Sequence, residues 1–146
     1  MLRFAGKTVV LLLEGLHALR HGGDVHLVAW GEEAWAASFI LEEQLRLALE
    51  DNPPSPPHAA GRIVVHRLKR WRQSGESDDD WEQRVKREAA GVAAAIQAQA
   101  AASPGDTLVI LDEANFRGRL VLSRLDVREK HNVYLIFIDM ELHSNI

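Results

Sequence analysis

Gly6-Lys7-Thr8 is a tripeptide suited to phosphate chemistry. The lysine supplies a cation, the threonine hydroxyl can reach a magnesium ion, and glycine lets backbone N–H groups approach phosphate oxygens. A complete loop of this kind carries another glycine five residues earlier, where this chain has Met1. The run Leu108-Val109-Ile110-Leu111-Asp112-Glu113 supplies the complementary pattern, of Walker B form. There an apolar strand delivers one acid, Asp112, to the magnesium shell and the next, Glu113, to a water molecule as general base. The chemistry so assembled is magnesium-dependent binding of a nucleoside triphosphate such as ATP, with Gly6, Lys7 and Thr8 on the phosphates, Thr8 and Asp112 on Mg2+, and Glu113 as the catalytic base. The plainer reading leaves Lys7 solvated at a helix start and the two acids in a loop.

Other residues offer less. Arg67, Lys69, Arg70, Trp71 and Arg72 form a basic run with an aromatic inside it, able to clamp a phosphate backbone and stack a base. Acids from Glu76 to Asp80 follow at once and compete for those cations. The seven histidines show no metal-ligand spacing: His17 and His21 are four apart, without a third ligand. The absence of cysteine removes disulfides and thiolate metal sites together, which fits a reducing compartment such as the cytoplasm.

Such groups need a scaffold, and the hydropathy pattern supplies an alternating one. Thr8 to Leu19 reads as a helix closed by Gly22-Gly23, Val25 to Trp30 as a buried strand, and about Glu32 to Glu50 as a helix ended by Asn52-Pro53-Pro54. Residues 52–61 hold four of the five prolines and read as a surface loop. Arg62 to Arg67 reads as a strand and 69–80 as a polar, mobile loop. Ser77 to Asp80 provides the cap and first-turn acids of a long helix through Ala102. Thr107 to Leu111 is a strand, about Phe116 to Lys130 a helix, and Val133 to Ile138 a strand. Alternating helices and apolar strands predict an α/β fold, a three-layer sandwich around a mostly parallel sheet, with ligands beyond the carboxyl ends of the strands.

The 146 residues amount to one domain, with 47% hydrophobic and 26% charged residues and a net charge of -4. That composition excludes a disordered or fibrous chain, and the apolar run Val9 to Leu13 is too short to cross a bilayer.

In order and spacing, Gly6 to Leu13, Gly22 to Val28, Ile63 to Leu68 and Asp112-Glu113-Ala114-Asn115-Phe116 resemble the first motor domain of superfamily 1 helicase-like P-loop ATPases. The resemblance spans nearly the whole chain. It implies a P-loop NTPase-like fold lacking its first strand, ATP binding and hydrolysis, and partners that include missing motor domains or a protein. Asn115 stands where that family commonly has glutamine. Ile138 and Leu142 stand where its sensor has glycine and glutamine, around Asp139. The chain is then either a piece of a longer motor-like protein or a decayed relative, with little activity when isolated.

Two alternatives stand beside this reading. Leu13-Glu14-Gly15-Leu16 and Asp112 to Phe116 are faintly similar to the acidic motifs of PIN or NYN metal-dependent nucleases, which require Val9 to Leu13 to be the first strand. The incomplete phosphate loop also suits a non-enzymatic interaction domain on a nucleotide-binding fold.

Overall fold

The computed structural model describes residues 2–54, 56, 59–69, 71–103, 105–112 and 133–138. Its elements are helix α1 (Leu2–Arg20), strand β1 (Asp24–Trp30), helix α2 (Glu32–Asp51), strand β2 (Ile63–Leu68), helix α3 (Asp78–Ala102), and strands β3 (Thr107–Asp112) and β4 (Val133–Ile138). The strands form one sheet in the order β2-β1-β3-β4. Every neighbouring pair is parallel, with Val25 opposite Ile63 and Leu108, and Leu108 opposite Tyr134. The expected α/β alternation is therefore present. The expected helix at 116–130 lies outside the described residues.

Parity explains which residues pack where, because successive strand side chains point to opposite faces. Val25 and Leu27 of β1 and Leu108 and Ile110 of β3 join Leu11 and Leu19 of α1 and Leu41 and Leu45 of α2 in one core. Val28, Trp30, Val109 and Leu111 face the other way, against Ala89, Val92, Ala93 and Ile96 of α3. The alanines explain themselves: Ala89 and Ala93 are buried and let this long helix lie close on the sheet. All seven residues of β1 are buried, whereas all six of β2 are only half-buried. An edge strand keeps one side open, so β2 tolerates His66 and Arg67 where β1 and β3 are nearly all apolar.

Several boundaries differ from the sequence reading, β1 starting at Asp24 and β3 ending at Asp112 among them. Helix α1 begins at Leu2, six residues earlier than expected, because Gly6 is the one poor helix former between Leu2 and Thr8 and does not stop a helix whose following turns are packed. Strand β2 is shifted one residue, to Ile63–Leu68. Helix α3 starts at Asp78, with the Ser77 hydroxyl accepting from the Asp80 N–H and 78–80 in its first turn as the cap signals indicated, so the loop read as 69–80 ends before them.

That loop is also tied down. Arg84 is buried, and its guanidinium donates to both carboxylate oxygens of Glu76 at 2.8 and 3.0 Å and to the Trp71 carbonyl at 2.9 Å. The bond from Arg84 holds the Glu76 carboxyl below its usual range. A bidentate pair plus a backbone bond orders residues 71–77 against α3, which a reading of polarity alone does not reveal. Arg84→Met is expected to free this segment. Limited proteolysis between 71 and 77 should speed up by roughly tenfold with the helical circular dichroism unchanged. Equal cleavage rates would show that the loop is held by something else.

Candidate functional site

The carboxyl edge of the sheet is where β1, β2, β3 and β4 end, at Trp30, Leu68, Asp112 and Ile138. Helix α1 ends three residues before β1 begins and packs Leu19 and Leu11 onto the sheet, so it runs back along the strands. The thirteen residues from Lys7 to Arg20 rise about 20 Å, roughly the length of a six-residue strand. A helix laid back along the strands over that length would carry Lys7 and Thr8 toward the carboxyl edge, the edge at which Asp112 ends β3. Asp112 sits in register with Ile138.

The local backbone is not that of a phosphate loop. Gly6, Lys7 and Thr8 lie in the second turn of α1, so their N–H groups belong to the helical ladder. The unclaimed donors of that terminus are those of Leu2 to Ala5. Glu113, Asn115, Asp139 and Leu142 lie outside the described residues. Val9 to Leu13 is helical throughout, so the first strand that a PIN or NYN nuclease requires is not there.

Much of the basic run is already engaged. Arg67 donates to Glu42 at 3.1 Å and to the Ser38 hydroxyl at 3.0 Å, and its guanidinium stacks 3.5 Å over the Phe39 ring. Arg72 pairs with Asp78 and lies over Trp81. Lys69 and Trp71 are exposed, Trp71 leaning on Trp35 with ring centroids 5.5 Å apart, and Arg70 lies outside the described residues. His21 bonds the His17 carbonyl through Nδ1 at 2.7 Å, a helix-end contact.

No known protein family, curated protein or solved structure matches the chain. Among the described residues, no group of three or more His, Asp or Glu side chains is arranged to hold a metal ion. No helix among them is long and apolar enough to cross a membrane.

Two clusters escaped the sequence reading. His26 is completely buried in β1, and its Nδ1 lies 3.0 Å from Nε2 of His66 in β2, the rings nearly parallel at 10°. Burial pushes His26 down to about 4, helped by His66 and Arg62 and opposed by Asp24. Burial also lowers His66. The signal was a lone histidine inside each of two apolar strands, which a search for metal spacing passes over. The second cluster is at the amino edge. There Asp24, itself buried, accepts the Arg62 N–H at 2.8 Å and faces the Arg62 guanidinium at 3.5 Å. With Arg20, His21 and Ser103 these residues line a cleft of about 580 Å³. This cleft lies on the edge opposite Lys7 and Asp112, and its buried acid is already paired with Arg62.

Proposed function

We propose that the chain is a nucleotide-binding α/β domain of the P-loop NTPase type, which holds magnesium-ATP at the carboxyl edge of its sheet. What supports this reading is that α1 hands the chain to β1 at the amino edge and packs Leu11 and Leu19 on the sheet, a course that would bring Lys7 and Thr8 toward the edge where Asp112 ends β3. Thr8 and Asp112 are hard oxygen ligands of the kind magnesium prefers, and Lys7 is a cation suited to phosphate. In the proposed complex the helix terminus and Lys7 hold phosphate oxygens. Thr8 and Asp112 hold the cation, and Glu113 takes the proton of an attacking water. The cation itself would neutralise charge on the phosphates.

The position of Gly6 inside the helix limits affinity, because its N–H cannot both close the ladder and cradle a phosphate. Calorimetric titration with magnesium-ATP is therefore expected to give weak binding, roughly 0.1 mM or weaker, and negligible turnover. Lys7→Ala should abolish that binding, and Asp112→Asn should remove its magnesium dependence. Affinity unchanged by both substitutions would place the ligand elsewhere. Binding at about 1 μM with rapid hydrolysis would show a complete phosphate loop. No binding at all would favour the interaction-domain reading.

A further inference from the structure

We propose that the His26–His66 pair is an acid-sensitive latch that holds strand β2 to β1, so that mild acidification frees β2 ahead of the rest of the sheet. The geometry begins with register. His26 stands opposite Val64 and His66 opposite Val28, so the two imidazoles are diagonal neighbours on the face that α3 covers. Their nitrogens are 3.0 Å apart, a distance that fits one proton between one donor and one acceptor. When both rings are cationic every ring nitrogen carries a proton, and two donors with two like charges then face each other. The closed pair therefore holds at most one extra proton, whereas two separated imidazoles each take one near the ordinary value of 6.5.

The surroundings do not relieve this conflict. Asp24 on β1 favours a proton on His26, and Arg62, just ahead of β2, opposes it. Strand β3 offers Val109 and Thr107, both fully buried and without charge. Helix α3 covers the face with Ala89, Val92, Ala93 and Ile96, and its ionic groups Arg84 and Glu88 are bonded to each other toward the carboxyl end. Nε2 of His26 is buried with no hydrogen-bond partner, so a second proton there finds no acceptor.

What yields is the weaker strand. Among the described residues β2 ends the sheet, pairs only with β1 and is half-buried, while β1 and the described side chains of β3 are fully buried. Apart from the ladder, the packing of Ile63, Val65 and Leu68 and the Trp35 indole N–H on the Leu68 carbonyl, three side-chain pairs fasten it: Arg62–Asp24 at one end, Arg67–Glu42 at the other, and the histidines between. Of these three, only the histidine pair has an ordinary value inside the range from pH 7 to pH 5.

Native-state hydrogen exchange of the intact chain between pH 7 and pH 5, corrected for intrinsic rates, tests the latch. The β2 amides should lose protection by about tenfold per pH unit below 6.5 and exchange faster than those of Val109 and Ile110, with little sensitivity to low denaturant. The double substitution His26→Leu, His66→Leu should flatten that pH dependence. Should it fail to fold, imidazole NMR titration of the unaltered chain decides, with two separate steps expected and the second well below 6.5. Protection of β2 that ignores pH, or that always equals that of β3, overturns the proposal. So does joint titration of both rings at the ordinary value.

Discussion

Gly61→Ala is expected to abolish folding of this chain, and Gly23→Ala to do the same. A β-carbon at residue 61 falls 1.6 Å from the Gly23 carbonyl oxygen, and one at residue 23 falls 2.1 Å from the Asp106 carbonyl oxygen. Neither neighbour is a side chain that can swing away. Both are backbone atoms of connections whose other bonds are spoken for. The Gly61 N–H donates to the Leu19 carbonyl at 2.9 Å, the Gly23 N–H to Ala18 at 2.8 Å, and the Asp24 N–H to Asp106 at 3.0 Å. Three entries into the sheet, before β1, β2 and β3, thus touch through glycine at the amino edge, so a single methyl group forces strands apart. The expected loss exceeds about 4 kcal/mol, large against the total stability of a domain this size. Gly91→Ala is the control. That glycine sits at an exposed position of helix α3 with nothing within 4 Å of the added carbon, so the change should stabilise the chain by about 0.5–1 kcal/mol. Urea denaturation of the three variants checks both expectations. A Gly61→Ala chain with unaltered midpoint would refute the interlock.

The second large effect is a loss of stability in mild acid. In the unfolded chain His26 takes its proton near 6.5, whereas in the folded protein burial and its neighbours push that step down to about 4. Between these values the unfolded state binds more protons, so stability falls as pH falls. It is full above 6.5, declines toward 4, and levels off below. The gap amounts to about 3 kcal/mol from this residue alone, and His66 adds to it in the same direction. Urea unfolding at pH 7.5 and pH 4.5 should differ by about 2–3 kcal/mol, and His26→Leu should remove most of the difference. Carboxylates of the unfolded chain begin to titrate at the acid end of this range, Glu76 among them, and the comparison with His26→Leu separates their share from that of the histidine. Equal stabilities at the two pH values would show that His26 carries its proton in the folded state.

Local signals sufficed where burial was extreme. Strands β1 and β3 are mostly apolar because helices cover both faces, and the same cause made them visible in the amino-acid order. The Ser77 cap, the acids after it and the glycine pair after α1 are contacts within a few residues, and these elements took shape where composition placed them. Loops and edges behaved differently. Residues 71–77 look mobile as a string of polar residues, yet Arg84, eight positions beyond Glu76, gathers them.

For the candidate site, the amino-acid order alone determined the residue types that suit phosphate and magnesium, and the strand that must deliver Asp112. Tertiary structure decided which edge α1 points to, and it placed Gly6 inside the helix, where packing of Leu11 and Leu19 outweighs the preference of glycine for a loop. It alone brought His26 to His66 across 40 positions, and Gly61 onto Gly23. The physical reason is common to both. Hydropathy and capping act over one or two turns of chain, whereas register between parallel strands is set by crossovers whose closure depends on the whole sheet.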